Sequence, residues 1–449
     1  MKQWKQVERA MAEAADKVLE KLVHEGYEAY YVGGSVRDEW MGRPVNDLDI
    51  TTSARPEQVL NMFERTVPTG MQHGTVTVIM DQIPFEVTTF RKETGYEDHR
   101  RPSEVEFVQD VEQDLKRRDF TMNAMAMDRA GRLIDPFGGR KDIKEGLVRC
   151  VGKADERFEE DALRMLRAIR FASIFNFVPS VRTWQGLIHN RASIQYIAVE
   201  RIRAELEKII AGPHPLRGLE LLERSGLMKY TKIAMKSSAI SKSEAELLEK
   251  LPSSPAALRW SYIVQWFQSE VKDLELWLKS WTFPSKMIEA ITKIIYFDLE
   301  IRDCHRKLEQ DRLHTRQSDY EGLRRAWITL QLKYGQVTAS HWLVRERLLS
   351  TEKLTGNSED QISTPVETSQ NLTFYLPIMQ QWCTEVPLHS AKELNISGSD
   401  VIVQVGRPAG PWVSETMQRL VGLVAAGDLK NERAALLEEL TKVENGYGK

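Results

Sequence analysis

The stretch YVGGSVRDEWMGRPVNDLDI, residues 31–50, decides the fold of the N-terminal part of the chain. A short apolar run stops at the pair Gly33 and Gly34, which predicts a strand followed by a tight turn. Ser35 lies near the expected cap of a helix that also carries Arg37. Two residues without Cβ, a helix N-terminus and a guanidinium together favour a cradle for phosphate oxygens, and the candidate ligand-binding residues of this cradle are Gly33, Gly34, Ser35 and Arg37.

The second half of this stretch alternates polar and apolar residues, which is typical of a strand. Asp47 and Asp49 are expected on one side, with Leu48 and Ile50 on the other. Two neighbouring carboxylates repel each other unless a cation lies between them, and oxygen ligands suit Mg²⁺. An isolated Asp-x-Asp is more often a solvated surface strand, but the preceding glycine pair favours a metal beside a triphosphate.

The order Gly-Gly-Ser, then Asp-x-Asp, resembles the nucleotidyltransferase superfamily that includes DNA polymerase beta. The fuller pattern resembles the class II tRNA nucleotidyltransferases, which comprise the CCA-adding enzymes and their bacterial poly(A) polymerase relatives. The further motifs that carry the resemblance are EVTTFR at 86–91, RRDFTMNA at 117–124, DPFGG at 135–139 and EDALR at 160–164. The resemblance is close from about Tyr30 to Gly212 and returns weakly at 395–412.

The resemblance implies roles for three residues that are ordinary surface charges on sequence alone. It implies that Glu86 is a third acidic residue near the pair Asp47 and Asp49, which would hold Mg²⁺. It implies that Arg118 meets the triphosphate and Asp119 the ribose. A carboxylate can accept a hydrogen bond from a 2′-hydroxyl, which favours ribonucleotides over deoxyribonucleotides.

A helix predicted over residues 159–171 carries Asp161 and Arg164 three positions apart, hence on one face. The pair could be a surface salt bridge of little energetic value. It could also read a base edge, because a carboxylate accepts from an exocyclic amine while a guanidinium donates to the adjacent ring nitrogen. Cytosine and adenine offer that pattern, whereas uracil and guanine do not. The second interpretation predicts a choice of C and A made by protein.

Two more arginines continue the three-residue spacing of this helix. The family resemblance gives both Arg167 and Arg170 a place at the nucleotide. At about 100° per residue, however, Arg170 lies nearly opposite Asp161 on an ideal helix. It is therefore the weakest candidate among the site residues.

Residues 91–104 are dense in charge and contain glycine and proline, which predicts a mobile loop. The family resemblance implies that this loop lets the pocket change from C to A, and that enzymes adding only CC have it shortened. The full-length loop argues against a CC-only enzyme. It does not separate full CCA addition from addition of A alone.

The composition predicts a cytoplasmic enzyme with several domains. The chain has 449 residues and a formal net charge of −3, which disfavours a generic basic RNA-binding protein but leaves local basic faces open. Candidates for such faces are Arg201 and Arg203 with Lys208, residues 302–316, and Arg324 with Arg325. No apolar run is long enough to span a bilayer, so no membrane partner is expected. Three widely spaced cysteines are typical of a reducing compartment.

The predicted fold class is α+β, with a mixed nucleotidyltransferase head followed by all-α parts. The tryptophans of the body are expected in its core. The resemblance assigns binding of the tRNA elbow to the tail. The predicted domains are a head at 1–151, a helical neck for base recognition at 152–215, a helical body at 216–350, a polar linker or loop at 351–371 and a helical tail at 372–449.

The resulting hypothesis is a template-independent, Mg²⁺-dependent enzyme that adds C, C and A to the 3′ end of tRNA from CTP and ATP. An enzyme that adds A alone and a poly(A) polymerase share the same head motifs. A non-catalytic RNA-binding module is disfavoured because both Asp47 and Asp49 are present. The sequence leaves a monomer and a homodimer both open.

Overall fold

The computed structural model describes residues 4–97, 101–233, 242–267, 273–310, 316–355 and 369–444. These residues divide into two compact units. The first comprises Met1–Ser238 with Ser280–Thr282, and the second comprises Ala239–Lys279 with Phe283–Lys449. The finer division into head, neck, body, linker and tail stays a prediction.

The first unit contains a seven-stranded sheet, a separate two-stranded antiparallel hairpin and a short pair of parallel strands. The strands are β1 (Ala29–Val32), β2 (Ile50–Thr52), β3 (Thr66–Gly70), β4 (Thr75–Met80), β5 (Ile83–Thr89), β6 (Arg91–Glu97), β7 (Arg101–Phe107), β8 (Ala126–Met127), β9 (Leu133–Ile134), β10 (Leu147–Val148) and β11 (Val178–Pro179). The sheet order is β3-β4-β5-β2-β1-β8-β9, and within it only the β2–β5 pairing is parallel. This arrangement places the strand after the Asp-x-Asp segment at the centre of the sheet.

Helices cover the sheet and then continue beyond it. They are α1 (Arg9–His24), α2 (Gly34–Trp40), α3 (Pro56–Met62), α4 (Val111–Lys116), α5 (Gly139–Glu145), α6 (Ala154–Glu160), α7 (Leu163–Phe175), α8 (Val181–Asn190), α9 (Val199–Ala211) and α10 (Pro215–Ser225). The apolar face of α1, with Val18 and Leu22 fully buried, joins the same core as Val76 and Val87 of the sheet. Helix α7 packs against α9 and α10, and its residues Arg167 and Phe171 contact Asp119 and Phe120 of the RRDFTMNA segment.

The second unit is helical throughout its described residues. Its helices are α11 (Lys242–Lys250), α12 (Ala256–Phe267), α13 (Leu274–Ser280), α14 (Ser285–Gln310), α15 (Arg316–Tyr334), α16 (Gln336–Thr355), α17 (Ser369–Glu385), α18 (Gly398–Val405), α19 (Pro411–Ala426) and α20 (Arg433–Glu444), the last residue of α13 belonging to the first unit. Trp327 and Trp342 are fully buried and pack around Phe297, as expected for core residues. The predicted fold class is therefore confirmed. No helix in the described ranges is both long and apolar enough to cross a membrane.

Two predicted connections differ from the structure. The stretch expected to be a loop before Val105 forms the antiparallel hairpin of β6 and β7, paired from Arg91 opposite Phe107 to Glu97 opposite Arg101. The charged composition of this stretch predicted a loop and not strands. Cross-strand pairing, however, stabilises a hairpin even where few side chains are apolar. In the predicted linker, α16 extends to Thr355 and α17 begins at Ser369, while residues 356–368 lie outside the described part.

Candidate active site

The glycine pair forms the turn between β1 and α2. Gly33 is the N-cap of α2 and has φ 75°, a conformation that side chains disfavour. A Cβ on Gly33 would also lie 2.9 Å from the Nη1 atom of Arg118. Glycine is therefore required here both by the backbone and by the close approach of a guanidinium.

Ser35 occupies a different place from the predicted cap. The cap is Gly33, and Ser35 lies inside the first turn of α2, where its Oγ donates to the carbonyl of Val32 at 3.1 Å. Its side chain is buried and does not line the cavity described below. The strand-to-helix turn is tighter than the sequence indicated, because glycine itself can begin a helix.

Arg37 is held in a fixed position on the inner face of α2. It donates to Oδ1 of Asn123 and to Asp38, the latter at 2.8 Å. Its guanidinium also lies over the rings of Phe171 and Phe175, at 5.3 and 4.8 Å from their centroids. The cation predicted to meet phosphate is thus ordered before any ligand binds.

Asp47 and Asp49 lie in extended backbone just before β2, and not within the strand as predicted. β1 pairs with β2 antiparallel, and the amide of Val32 donates to the carbonyl of Asp49 at 3.0 Å. Beyond that point β1 turns away at Gly33, so the segment around Asp47 has no partner strand. The predicted alternation holds, since Leu48 and Ile50 are buried on the opposite side.

Glu86 lies beside these two carboxylates. The parallel register of β2 and β5 pairs Ile50 with Val87, which puts the preceding residues, Asp49 and Glu86, at adjacent positions. Burial, followed by the negative charges of Asp47 and Glu86, raises the pKa of Asp49 to about 6, against the opposing charge of Arg118. The three acidic residues therefore share one electrostatic environment, and the roles given to them stay a prediction.

The donor set fits a cation that is only partly held by protein. Among the described residues, no group of three or more His, Cys, Asp or Glu side chains is arranged to hold a metal ion alone. Mg²⁺ is commonly bound by one or two carboxylates, with substrate phosphates and water completing its shell. Two carboxylates with mutual repulsion beside a phosphate cradle fit that pattern.

Arg118 and Asp119 follow α4 and point to different partners. Arg118 donates to Asp114 at 3.3 Å, and its buried Nε atom has no hydrogen-bond acceptor in the part of the chain that the structure describes. Asp119 accepts hydrogen bonds from the amide of Phe120, from Asn123 and from Arg167. Burial opposes ionisation of Asp119, but the positive charge of Arg167 and the bond from Asn123 outweigh it and lower the pKa to about 2.

The helix predicted over 159–171 is interrupted at Asp161. Helix α6 ends at Glu160, Asp161 is extended with φ −141° and ψ 104°, and α7 begins at Leu163. The Oδ1 atom of Asp161 accepts from the amide of Leu163 at 3.0 Å, a local bond that favours a helix start over a helix interior. Aspartate is common at helix caps, which could have predicted a helix boundary at Asp161. The helix-forming glutamates before it favoured a continuous helix instead.

Asp161 and Arg164 are not paired with each other. Asp161 Oδ2 accepts from Arg201 at 3.0 Å, and Arg164 Nη1 donates to Glu160 at 2.6 Å. The alternative prediction of a salt bridge between Asp161 and Arg164 is therefore wrong, because each residue pairs with a different partner. Both side chains nevertheless line the same cavity.

The remaining two arginines of α7 differ from each other. Arg167 pairs with Asp119 at 2.6 Å and lines the cavity. Arg170 pairs with Glu205 at 2.9 Å and is not among the lining residues. Because Asp161 lies outside α7, the rotation counted from Asp161 does not apply; along α7 itself, Arg170 is turned by about 120° from Arg164, which directs the two arginines to different partners.

A cavity of about 410 Å³ brings the head motifs and the helices α7 and α9 together. Its lining residues are Gly33, Gly34, Arg37, Asp49, Arg117, Arg118, Asp119, Asn123, Asp161, Leu163, Arg164, Arg167, Phe171 and Arg201. The predicted site residues do not include Arg117, Asn123, Leu163, Phe171 and Arg201, although Arg117, Asn123 and Leu163 lie inside quoted motifs. Arg201 comes from α9, and only the packing of α9 against α7 brings it to the cavity.

Comparisons with known proteins agree with this geometry. Residues 29–149 match the family model of the poly A polymerase head domain. Residues 176–234 match "Probable RNA and SrmB- binding site of polymerase A", and residues 361–440 match "tRNA nucleotidyltransferase domain 2 putative". The matched regions cover both units of the chain.

Similar proteins match almost the whole length. The CCA-adding enzyme of Geobacillus kaustophilus is 38% identical over 430 residues, which is 94% of each protein, and that of Geobacillus stearothermophilus is 36% identical over 93% of each. The crystal structure of the Bacillus stearothermophilus CCA-adding enzyme in complex with CTP superposes with a TM-score of 0.75 at 32% identity, covering 98% of this chain and 99% of that one. This chain therefore belongs to the family of CCA-adding enzymes, the tRNA nucleotidyltransferases that its motifs resemble.

Proposed function

We propose that this chain adds C, C and A to the 3′ end of tRNA in the cytoplasm, without a nucleic-acid template, and releases pyrophosphate from CTP and ATP. The observation that carries the proposal is the single cavity that combines a phosphate cradle, an acidic residue and a base-edge pair. Asp49, which precedes β2, and Asp161 and Arg164, from the α6–α7 junction, line the same cavity. Such a cavity can contact the triphosphate, the ribose and the base of one bound nucleoside triphosphate.

Asp47 and Asp49 are the proposed ligands of Mg²⁺, with Glu86 as the adjacent acidic residue. A bound Mg²⁺ supplies Lewis-acid activation of the tRNA 3′-hydroxyl and offsets the charge on the leaving pyrophosphate. The two carboxylates repel each other, and a bound cation relieves that repulsion, so the site favours binding of a cation. The hydroxyl of the tRNA terminus attacks the α-phosphate, the bond to the β-phosphate oxygen breaks, and one nucleotide is added.

The triphosphate is proposed to lie against the turn at Gly33 and Gly34. Backbone amides at the start of α2 and the guanidiniums of Arg37 and Arg118 are the donors there. The unpartnered Nε of Arg118 is available for a phosphate oxygen. Because Arg37 is already positioned by Asn123 and two aromatic rings, little side-chain entropy is lost when phosphate binds.

The ribose is proposed to contact Asp119. Its carboxylate accepts from three protein donors, and a carboxylate offers about four acceptor positions, so one 2′-hydroxyl can still be accommodated. The low pKa of about 2 keeps this group an acceptor throughout the physiological range. Arg167 is proposed to assist the nucleotide mainly by holding Asp119.

The base is proposed to be read by Asp161 and Arg164. In the structure Asp161 is held by Arg201 and Arg164 by Glu160, so neither charge is buried without a partner. Cytosine and adenine satisfy an acceptor and a donor in the same order, whereas uracil and guanine put a carbonyl against the carboxylate. Each mismatched edge costs on the order of 1 to 3 kcal/mol.

The function is tested by supplying purified protein and Mg²⁺ with three tRNA transcripts, which end at the discriminator base, at C and at CC. CTP and ATP are added separately and together, and the products are resolved at single-nucleotide length. We expect all three transcripts to reach CCA and to stop there. The Asp47→Ala variant, assayed beside the wild-type protein, identifies any contaminating activity.

Other products would select a competing activity. Growth of the CC transcript alone, by one A, would identify an A-adding enzyme that needs a CC-adding partner. Long A tails on unrelated RNA would identify a poly(A) polymerase. No extension of any transcript would return attention to a non-catalytic RNA-binding protein.

A further inference from the structure

Two arginines near the cavity differ from the others around it. The guanidinium of Arg140 lies 4.6 Å from the ring centroid of Trp40, and that of Arg43 lies 5.1 Å from the ring of Phe175. Arg140 follows the first residue of α5, whereas Trp40 is the last residue of α2 and is 43% exposed. Two separate parts of the sequence thus bring stacked cations to the surface of the same unit.

The side chains of Arg43 and Arg140 make no hydrogen bond and no ion pair with any residue in the described part of the chain. The arginines of the cavity behave differently, because Arg37, Arg164 and Arg167 each pair with an acidic residue. A guanidinium stacked on a ring keeps its N–H edge free, and that edge matches a phosphate group in a bidentate manner. Stacking of a guanidinium on a ring at an exposed site stabilises a fold only weakly, so it gives little structural reason for two such pairs.

These pairs are continuous with the cavity. Trp40 follows Arg37 by three residues on α2, hence on the same side of the helix and about 4.5 Å further along its axis. The ring of Phe175 contacts both Arg37, which lines the cavity, and Arg43, which does not. An anionic chain that ends at the cavity could therefore continue over these arginines.

We propose that Trp40, Arg43, Arg140 and Phe175 form a stacked-arginine patch that binds backbone phosphates of the tRNA acceptor strand next to its 3′ end. The proposal rests on the proposed function, since it is that function which brings a tRNA terminus to the cavity. RNA is favoured over a protein partner because both members of the patch that carry charge are arginines, and because Trp40 is the one prominently exposed large apolar side chain among residues 24–66, all of which are described. Two unpaired cations complement phosphate charge, whereas a protein interface would need a larger apolar area.

The test compares an Arg43→Gln/Arg140→Gln variant with the matched control Arg9→Gln/Arg132→Gln, which removes the same number of charges from exposed positions of the same unit. The RNA is a minihelix of acceptor stem and T arm that ends in CC, and its Kd is measured at several salt concentrations. We expect the Kd to rise about tenfold in the patch variant, and the slope of log Kd against log salt to fall by between about 0.7 and 2. The control should stay within about twofold of the wild-type protein, and the KM for ATP should not change.

A second variant, Arg43→Lys/Arg140→Lys, keeps the charge and removes the planar guanidinium. We expect it to retain the wild-type salt slope while its Kd lies between those of the wild-type protein and the glutamine variant. Minihelix binding by the glutamine variant that equals the control would overturn the proposal. A change in molecular mass without a change in RNA binding would also overturn it and would assign the patch to contacts between copies of the chain.

These outcomes are separate from the test of the proposed function. If the wild-type protein extends none of the three transcripts, the proposed function is wrong, and that result does not depend on the patch. If the wild-type protein extends them and the glutamine variant binds RNA normally, only the patch assignment is wrong. Thermal melting of each variant shows whether its fold is intact.

Discussion

The two ends of the cavity treat charge in opposite ways. At the carboxylate end, Asp47, Asp49 and Glu86 come close together, and burial with like charge raises the pKa of Asp49 to about 6. At the base-reading end, Asp161 and Arg164 are each paired with a residue of opposite charge. The first end is arranged to attract a cation that is not part of the chain. The second end can exchange its internal partners for a base without leaving a buried charge alone.

The largest effect should come from removing the cation ligand. Asp47→Ala should lower turnover by roughly 10³-fold or more, because the carboxylate is proposed to hold the ion that activates the hydroxyl. Affinity for tRNA should be retained, since the substitution leaves the RNA-binding surfaces unchanged. Single-turnover extension of the CC transcript measures the first quantity and filter binding the second. Asp81→Asn, an exposed head residue paired with Lys17, is the matched control. Normal turnover by Asp47→Ala would show that Asp47 is not needed for catalysis, and would contradict the proposed cation site.

Repulsion at the carboxylate end should also be visible in the stability of the metal-free protein. The pKa of Asp49 is raised from 3.8 to about 6, so the folded state binds this proton more tightly than the unfolded state. The resulting cost is absent below about pH 4, grows as the pH rises towards 6 and is complete above it, at up to about 3 kcal/mol. Asp49→Asn should therefore unfold at higher denaturant concentration than the wild-type protein at pH 8, and at an equal concentration near pH 3.5. Equal unfolding midpoints at pH 8 with excess chelator would contradict this account.

At the base-reading end, the expected change is one of selectivity. Asp161→Ala should lower the preference for CTP over UTP by about tenfold, because the acceptor for the exocyclic amine is lost while the catalytic carboxylates are intact. Ratios of kcat/KM for the four nucleotides measure this effect. Asp155→Ala, an exposed residue of α6, is a control for loss of a nearby carboxylate. Unchanged discrimination against UTP and GTP would exclude Asp161 from base recognition.

The smallest effect on nucleotide binding is expected at Ser35, which the structure places away from the position that the sequence predicted. Ser35 was predicted to contact the nucleotide, yet its hydroxyl is buried and bonded to Val32. Ser35→Ala should leave the KM for CTP within about twofold and cost about 1 kcal/mol of folding stability. A KM raised tenfold, with stability unchanged, would show instead that this hydroxyl reaches the triphosphate. Steady-state kinetics and urea unfolding of the same preparation decide between the two.

Local patterns predicted those parts of the site that depend on neighbours in the chain. The turn at Gly33 and Gly34 and the alternation through Asp47 and Asp49 follow from backbone freedom and strand periodicity. Prediction failed where a competing local bond or a distant strand decided the outcome. Asp161 interrupts the helix and accepts from the amide of Leu163, and the charged segment after Phe90 forms a hairpin because its two halves pair with each other.

The order of motifs in the sequence was sufficient for the fold class and the family, because both depend on local patterns and on the order in which those patterns follow one another along the chain. The packing of distant elements decided which charges meet: Arg201 reaches Asp161 from α9, Arg167 reaches Asp119 from α7, and Arg170 is directed to Glu205. The interaction between two charges weakens as their distance in space grows, whatever their separation along the chain. For that reason the tertiary structure alone determined that Asp161 and Arg164 are paired with other residues, whereas Asp49 lies close to two like charges.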